Sequence, residues 1–268
     1  MFDTEAKIIK RMTPLLQRVL IVDPQPVSAR FIGDLMRNLV GSQVVVAESV
    51  AKAIRACGSY NPSIIFVEFG STIDGAEFTR QLRRSHLGCR YAPVVMLTNQ
   101  ATAGGILAAR DAGVHEFLRK PFTMKDLLRR LEAVTLRRRD WVEAVGYVGP
   151  DRRRFNSGDY TGPLKRQSDA ATPDTARMIQ ALKILRSSIM AVDIDPAQAM
   201  RSMRVQAADL QKCGVAIGDA KLAAAASDLE RYLGEIDAKG PPYSSEQLQI
   251  SATALLAYMP KDEEAFAA

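Results

Sequence analysis

The chain has 268 residues, 47% of them hydrophobic and 25% charged, with a formal net charge of +6. That length and apolar content allow one large domain or two modest ones and exclude wholesale disorder. Its three cysteines, Cys57, Cys89 and Cys213, are scattered and odd in number, which argues against a disulfide framework or a zinc cluster and suits a reduced compartment.

Residues 1–17 alternate charged and apolar side chains too closely for a signal peptide and read as an N-terminal extension. No apolar run approaches the ~20 residues that span a bilayer. A soluble, cytoplasmic protein with no membrane contact is therefore expected. From residue 18 to 139, strand and helix signals alternate. The apolar runs RVLIVD (18–23), QVVVAE (43–48), IIFVEF (64–69), APVVMLT (92–98) and HEFLRK (115–120) predict five strands. Between them, helical spacing predicts helices over 29–39, 50–57, 76–84 and 104–112, and a longer amphipathic helix over 123–139 opened by Thr123 and Asp126. Apolar strands alternating with helices imply an α/β fold, a five-stranded doubly wound parallel sheet covered on both faces. In such sheets polar groups at the carboxyl ends of the strands share one edge. Asp23, Glu68, Thr98 and Lys120 end four of the five strands and are predicted to converge there.

Residues 140–173 are rich in Gly, Pro and Arg and read as a linker, draped on the first domain through Trp141, Tyr147 and Phe155. Residues 174–259 carry four apolar stripes at helical spacing. They begin at Met178, at Met200 behind Asp195-Pro196, at Leu222, and at Leu248 behind Ser244 and Gln247. They predict an all-α bundle, with 260–268 as a tail. Charge is uneven: residues 174–268 sum to −3 and the rest to +9. The basic excess peaks at Arg129-Arg130, Arg137-Arg138-Arg139 and Arg152-Arg153-Arg154. A solvated helix face and linker is the plain reading of these runs. Their planar guanidinium groups would also suit the phosphates of a cyclic dinucleotide or nucleic acid.

Residues 18–139 resemble the receiver domain of bacterial two-component response regulators. The resemblance rests on LIVD (20–23), IIFVEF (64–69), VVMLT (94–98) and FLRKPF (117–122), in that order, with Lys120-Pro121 ahead of an amphipathic helix. It implies that acids after the first strand hold Mg²⁺ and that an Asp after the third accepts a phosphoryl group. A Thr and a Lys after the fourth and fifth strands then bind that group, and an aromatic residue in the fifth strand, here Phe117, moves with the Thr.

The sequence departs from that pattern twice. The acid pair is Asp23-Pro24, and the acceptor position is Glu68. One added methylene displaces the carboxylate by about 1.5 Å, and a misplacement of ~1 Å can cost ~100-fold in rate. Mg²⁺ demands near-ideal octahedral geometry, so at most a weak site at Asp23, Glu68 and Gly70 is expected, and no resident cofactor. A pseudo-receiver is predicted in which Glu68 pairs with Lys120 and fixes one state. Phosphorylation at Glu68 or Asp74, as in a genuine response regulator, is the alternative. GDAKLAAAASDLERYL (218–233) is similar to a helix of histidine phosphotransfer domains. Such a domain works through an exposed His, and both histidines, His86 and His115, lie in the receiver-like part. No Walker loop, GxGxxG fingerprint or nucleophile elbow is present. The expected function is a non-enzymatic adaptor of a two-component pathway. Its expected partners are a histidine kinase, a phosphotransfer protein or another regulator, with homodimerisation on the face that carries Arg129 and Arg130.

Overall fold

The structure is a computed structural model that describes residues 2–70, 73–99, 102–137, 139–152, 173–239 and 245–260. The chain divides into two compact units, residues 1–142 with 147–160, and residues 143–146 with 161–268.

The first unit opens with helix α1 (Phe2–Met12), followed by β1 (Arg18–Val22), α2 (Pro26–Val40), β2 (Gln43–Ala47), α3 (Val50–Tyr60) and β3 (Ile64–Glu68). Helix α4 (Gly75–Arg84), β4 (Val94–Thr98), α5 (Ala103–Asp111), β5 (Glu116–Arg119) and α6 (Met124–Thr135) complete the alternation. The five strands form one parallel sheet in the order β2-β1-β3-β4-β5, as the alternation predicts. Successive strand residues feed two cores. Leu20, Val22, Ile65, Val67, Val94 and Met96 pack beneath α3, α4 and α5. Val19, Ile21, Ile64, Phe66, Val95 and Leu97 pack beneath α1, α2 and α6. Burying each such side chain contributes roughly 1.5–3 kcal/mol, so strands with no polar face are what a two-sided sheet selects.

Three features differ from the sequence reading. The N-terminal extension is a helix whose Met12, with Leu16 after it, is fully buried in the second of these cores. Helix α6 stops at Thr135, four residues before Arg139, and the chain turns to bring Arg139 against β5. Residues read as the start of a linker carry two short paired strands, β6 (Trp141–Glu143) and β7 (Val148–Pro150). Trp141 packs edge-on against Tyr91 with ring centroids 4.7 Å apart. Tyr147 is buried, and Gly149 comes so close to Gly113 that a Cβ on Gly149 would lie 2.7 Å from the Gly113 Cα. Phe155 lies outside the described residues.

The second unit contains α7 (Pro173–Met190), α8 (Pro196–Ile217), α9 (Ala220–Lys239) and α10 (Ser245–Leu256). Helix α7 packs on α8, α8 on α9, α9 on α10, and α10 closes back on α7. The predicted stripes form the core: Leu182, Leu185 and Ile189, then Met200, Met203 and Leu210, then Leu222, Leu229 and Leu233, then Leu248, Ala252 and Leu255. Asp195 caps α8 by accepting the Gln198 amide at 3.1 Å. At Gly214 a Cβ would meet the backbone N of Ala223 at 2.7 Å, so α8 and α9 cross on the missing side chain. A second, polar stripe runs along α8. Gln198 Nε2 donates to Glu143 Oε1 at 2.9 Å, and Ser202 Oγ and Gln206 Nε2 donate to the Glu143 carbonyl at 2.8 and 3.1 Å. All four residues are buried, so the hydrogen bonds offset what burial of those groups would otherwise cost.

Candidate functional site: an acidic notch filled by a lysine

Four strand ends bring the predicted polar residues to one edge of the sheet. Asp23 follows β1, Glu68 ends β3, Thr98 ends β4 and Lys120 follows β5. Parallel register sets their depth, with Glu68 opposite Leu97 and Thr98 opposite Arg119. The Glu68 backbone is pinned by the start of α4. A Cβ on Gly75 would stand 2.5 Å from the Glu68 carbonyl oxygen, so only glycine allows that approach.

The Lys120 ammonium is the hub. It donates to Glu68 Oε2, to Ser28 Oγ at 2.9 Å and towards Asp23 Oδ2 at 3.5 Å. Side-chain exposure is 19% for Lys120, 13% for Glu68 and 1% for Asp23, so these charges are largely withdrawn from water. Asp23 uses its other oxygen, Oδ1, to accept the Gln25 amide at 2.8 Å. Two carboxylates and one ammonium leave the notch with one net negative charge.

The residues present do not fit a divalent cation. Mg²⁺ needs several oxygens near 2.1 Å in octahedral array. Here both carboxylates face Lys120, and Pro24 stands where a second acid would be needed. Among the described residues no group of three or more His, Cys, Asp or Glu side chains could hold a metal. Gly70, the third expected ligand position, has its amide 3.3 Å from the Ile73 carbonyl, and a Cβ there would lie 3.6 Å from Glu68 Oε1.

The remaining candidates fall in different places. Thr98 is buried and its hydroxyl donates to the Phe69 carbonyl at 2.8 Å. Phe117 is buried in the core beside Met96. Asp74 caps α4 by accepting the Glu77 amide at 2.9 Å. The arginines do not form one cluster. The Arg139 side chain is 8% exposed, ion-paired with Glu116 and bonded to the His115 carbonyl at 2.7 Å, so it is largely withdrawn from any surface ligand. Arg130 holds the other Glu116 oxygen at 2.9 Å. A carboxylate inside a strand needs such partners. Arg137 is exposed and reaches Glu132 at 3.5 Å, while Arg152 pairs with Asp111 at 2.9 Å and lies over the Tyr147 ring. Arg138, Arg153 and Arg154 lie outside the described residues.

Two participants carry no signal in sequence, Ser28 and Arg83. Ser28 meets Lys120 across 92 positions of chain. Arg83 is fully buried. It donates to the carbonyls of Gly113 at 3.0 Å, Ala92 at 2.9 Å and Arg90, and its guanidinium sits 5.3 Å over Trp141. It also meets His115 Nδ1 at 3.1 Å, and the Val94 amide donates to the same atom at 3.3 Å, which places the imidazole proton on Nε2. Burial, then the charges of Arg83 and Arg139, hold His115 well below its ordinary value of 6.5. The sign follows directly. As pH falls through 6.5 the unfolded chain takes up a proton that the folded one refuses, so folding weakens. One such group costs about 1.4 kcal/mol by about pH 5.5. Urea midpoints should fall between about pH 7.5 and 5.5, and His115→Gln should flatten that slope even if its overall stability is lower.

Residues 19–132 match the family model of the response regulator receiver domain. The chain is 31% identical over 122 residues to the transcriptional regulatory protein KdpE of Mycobacterium tuberculosis, which covers 44% of this chain and 51% of that protein. It is 30% identical over 165 residues to the KDP operon transcriptional regulatory protein KdpE of Escherichia coli, covering 61% of this chain and 64% of that protein. The chain thus spans from half to under two thirds of the length of these relatives. The Vibrio cholerae chemotaxis protein CheY4 superposes with a TM-score of 0.41 at 22% identity, over 44% of this chain and 98% of that one. The first unit is a response regulator receiver domain. The family model ends at residue 132, ahead of the helical unit. No described helix is long and apolar enough to cross a membrane.

Proposed function

We propose that this chain is a non-enzymatic signalling regulator whose receiver unit is a pseudo-receiver, held in one state by Lys120 and not switched by phosphorylation. The observation that carries this reading is the Lys120 ammonium bound to Glu68, Asp23 and Ser28 in a notch that Pro24 deprives of a second acid. Glu68 places a fixed carboxylate on the lysine, and the notch already has its cation. The receiver unit then serves as a surface for protein partners, a histidine kinase, a phosphotransfer protein or another regulator. The helical unit adds an interaction domain, for such a partner or for a second copy of this chain. The relatives are named as transcriptional regulators, so nucleic acid is the rival partner. Against it stand the pairing of Arg139 with Glu116 and the negative balance of residues 174–268.

The test is incubation of the full chain with a small phosphodonor and Mg²⁺, followed by intact-mass measurement. No mass gain is expected. Addition of one phosphoryl group, whether at Glu68 or Asp74, would overturn the pseudo-receiver.

A further inference from the structure

Away from the notch, two nucleophilic side chains meet. Cys57 lies in the last turn of α3, and Cys89 in the short 3-10 turn Gly88–Tyr91 that precedes β4. They are 32 positions apart in sequence, and Cys89 Sγ lies 3.5 Å from the Cys57 carbonyl oxygen. The two thiols act on each other's titration, and the buried guanidinium of Arg83 acts on both. Both are free thiols. No disulfide framework could be read from three scattered cysteines, and it is folding alone that joins these two.

The pair is asymmetric. The hydrogen bond with Cys57 lowers the Cys89 thiol below its ordinary value, the Arg83 charge adds to this, and burial opposes it. The same hydrogen bond, together with burial, pushes Cys57 up. A thiolate is the nucleophile and a neighbouring thiol the resolver, which is the division of labour in a two-cysteine redox site.

We propose that Cys57 and Cys89 form a redox modification site that closes to a disulfide under a peroxide. Cys89 sulfur attacks one oxygen of hydrogen peroxide, the O–O bond breaks, and the departing hydroxide takes up the thiol proton as water. The product is a sulfenic acid at Cys89. Cys57 sulfur then attacks that sulfur, the S–O bond breaks, and the second hydroxide leaves with the Cys57 proton as water. Two thiols are oxidised by two electrons, and one peroxide becomes two waters. Both cysteines are buried, so the reaction runs through opening of the four-residue turn and leaves the sheet intact. The product ties the end of α3 to the entry of β4 and restricts the unfolded chain, so the oxidised form is the more resistant to urea.

The test treats the full chain with hydrogen peroxide, then denatures it, alkylates free thiols and maps the peptides. The expected result is one alkylated thiol, Cys213, a cross-linked peptide pair holding Cys57 and Cys89, and a urea midpoint that rises and returns with a reductant. In Cys57→Ser the resolver is gone, and Cys89 should be trapped as a sulfenic acid by dimedone, an adduct the parent does not give. Three alkylated thiols after treatment, a bridge to Cys213, or a sulfinic acid at Cys89 in the parent would overturn the proposal.

Discussion

Replacing Arg83 by methionine is expected to destabilise the receiver unit by about 3 kcal/mol. Two effects oppose each other. Burial pulls the Arg83 pKa down to about 9, so its charge is held at a cost, although it stays protonated at neutral pH. Removing that charge relieves the cost. Removing it also orphans the carbonyls of Gly113, Ala92 and Arg90 and strips His115 Nδ1 of a donor. Each buried polar group left unpaired costs roughly 1–3 kcal/mol, so the losses outweigh the gain. Arg83→Lys should fare little better, because a single ammonium cannot reproduce the forked geometry. Trp141 is the only tryptophan in the chain and lies over this guanidinium, so its fluorescence follows unfolding of this unit directly. An Arg83→Met chain with the parent's urea midpoint would show that the guanidinium contributes nothing to the fold.

Lys120→Met carries the second large effect, about 3 kcal/mol. The substitution leaves Glu68 and the almost fully buried Asp23 facing each other without a cation. Removing one partner of a buried pair costs ~3–5 kcal/mol, and the partial exposure of Lys120 and Glu68 puts the value at the lower end. Adding Glu68→Gln should recover part of the loss, since one of the two uncompensated charges goes with it. Glu68→Gln alone should cost less, because Lys120 keeps Asp23 and Ser28. Urea unfolding of the three variants measures the coupling between Glu68 and Lys120 as a double-mutant cycle. Additive effects would mean that the two side chains do not hold each other.

The sheet and the notch were legible because their cause is local. The strands are largely apolar runs, with Glu116 the exception inside β5, and each run ends on a polar residue, so the pattern alone places Asp23, Glu68, Thr98 and Lys120 at one edge. Helix α1 also left a signal: Ile8, Met12 and Leu16 recur every four residues, and only their charged neighbours obscured it. The rest depends on contacts distant in sequence. Arg83 and Arg139 look like members of solvated basic runs, and nothing beside them says that the first is fully buried and the second paired with Glu116. Glu116 held the one clue, since an acid in the middle of an apolar strand requires a cation from elsewhere. Ser28 carries no such mark, because its meeting with Lys120 is fixed only when α2 and β5 are both in place. The two faces of α8 are similar: the apolar stripe is visible in sequence, whereas the polar stripe acquires meaning only through Glu143.

In the proposed pseudo-receiver the notch has one state. Its most direct measurement is the amide NMR spectrum of the full chain, recorded alone and with Mg²⁺ and beryllofluoride, a phosphoryl mimic. Superimposable spectra are predicted, because Lys120 and Glu68 already occupy each other. Shifts gathered at Glu68, Thr98 and Lys120 would contradict it and show a receiver that still switches.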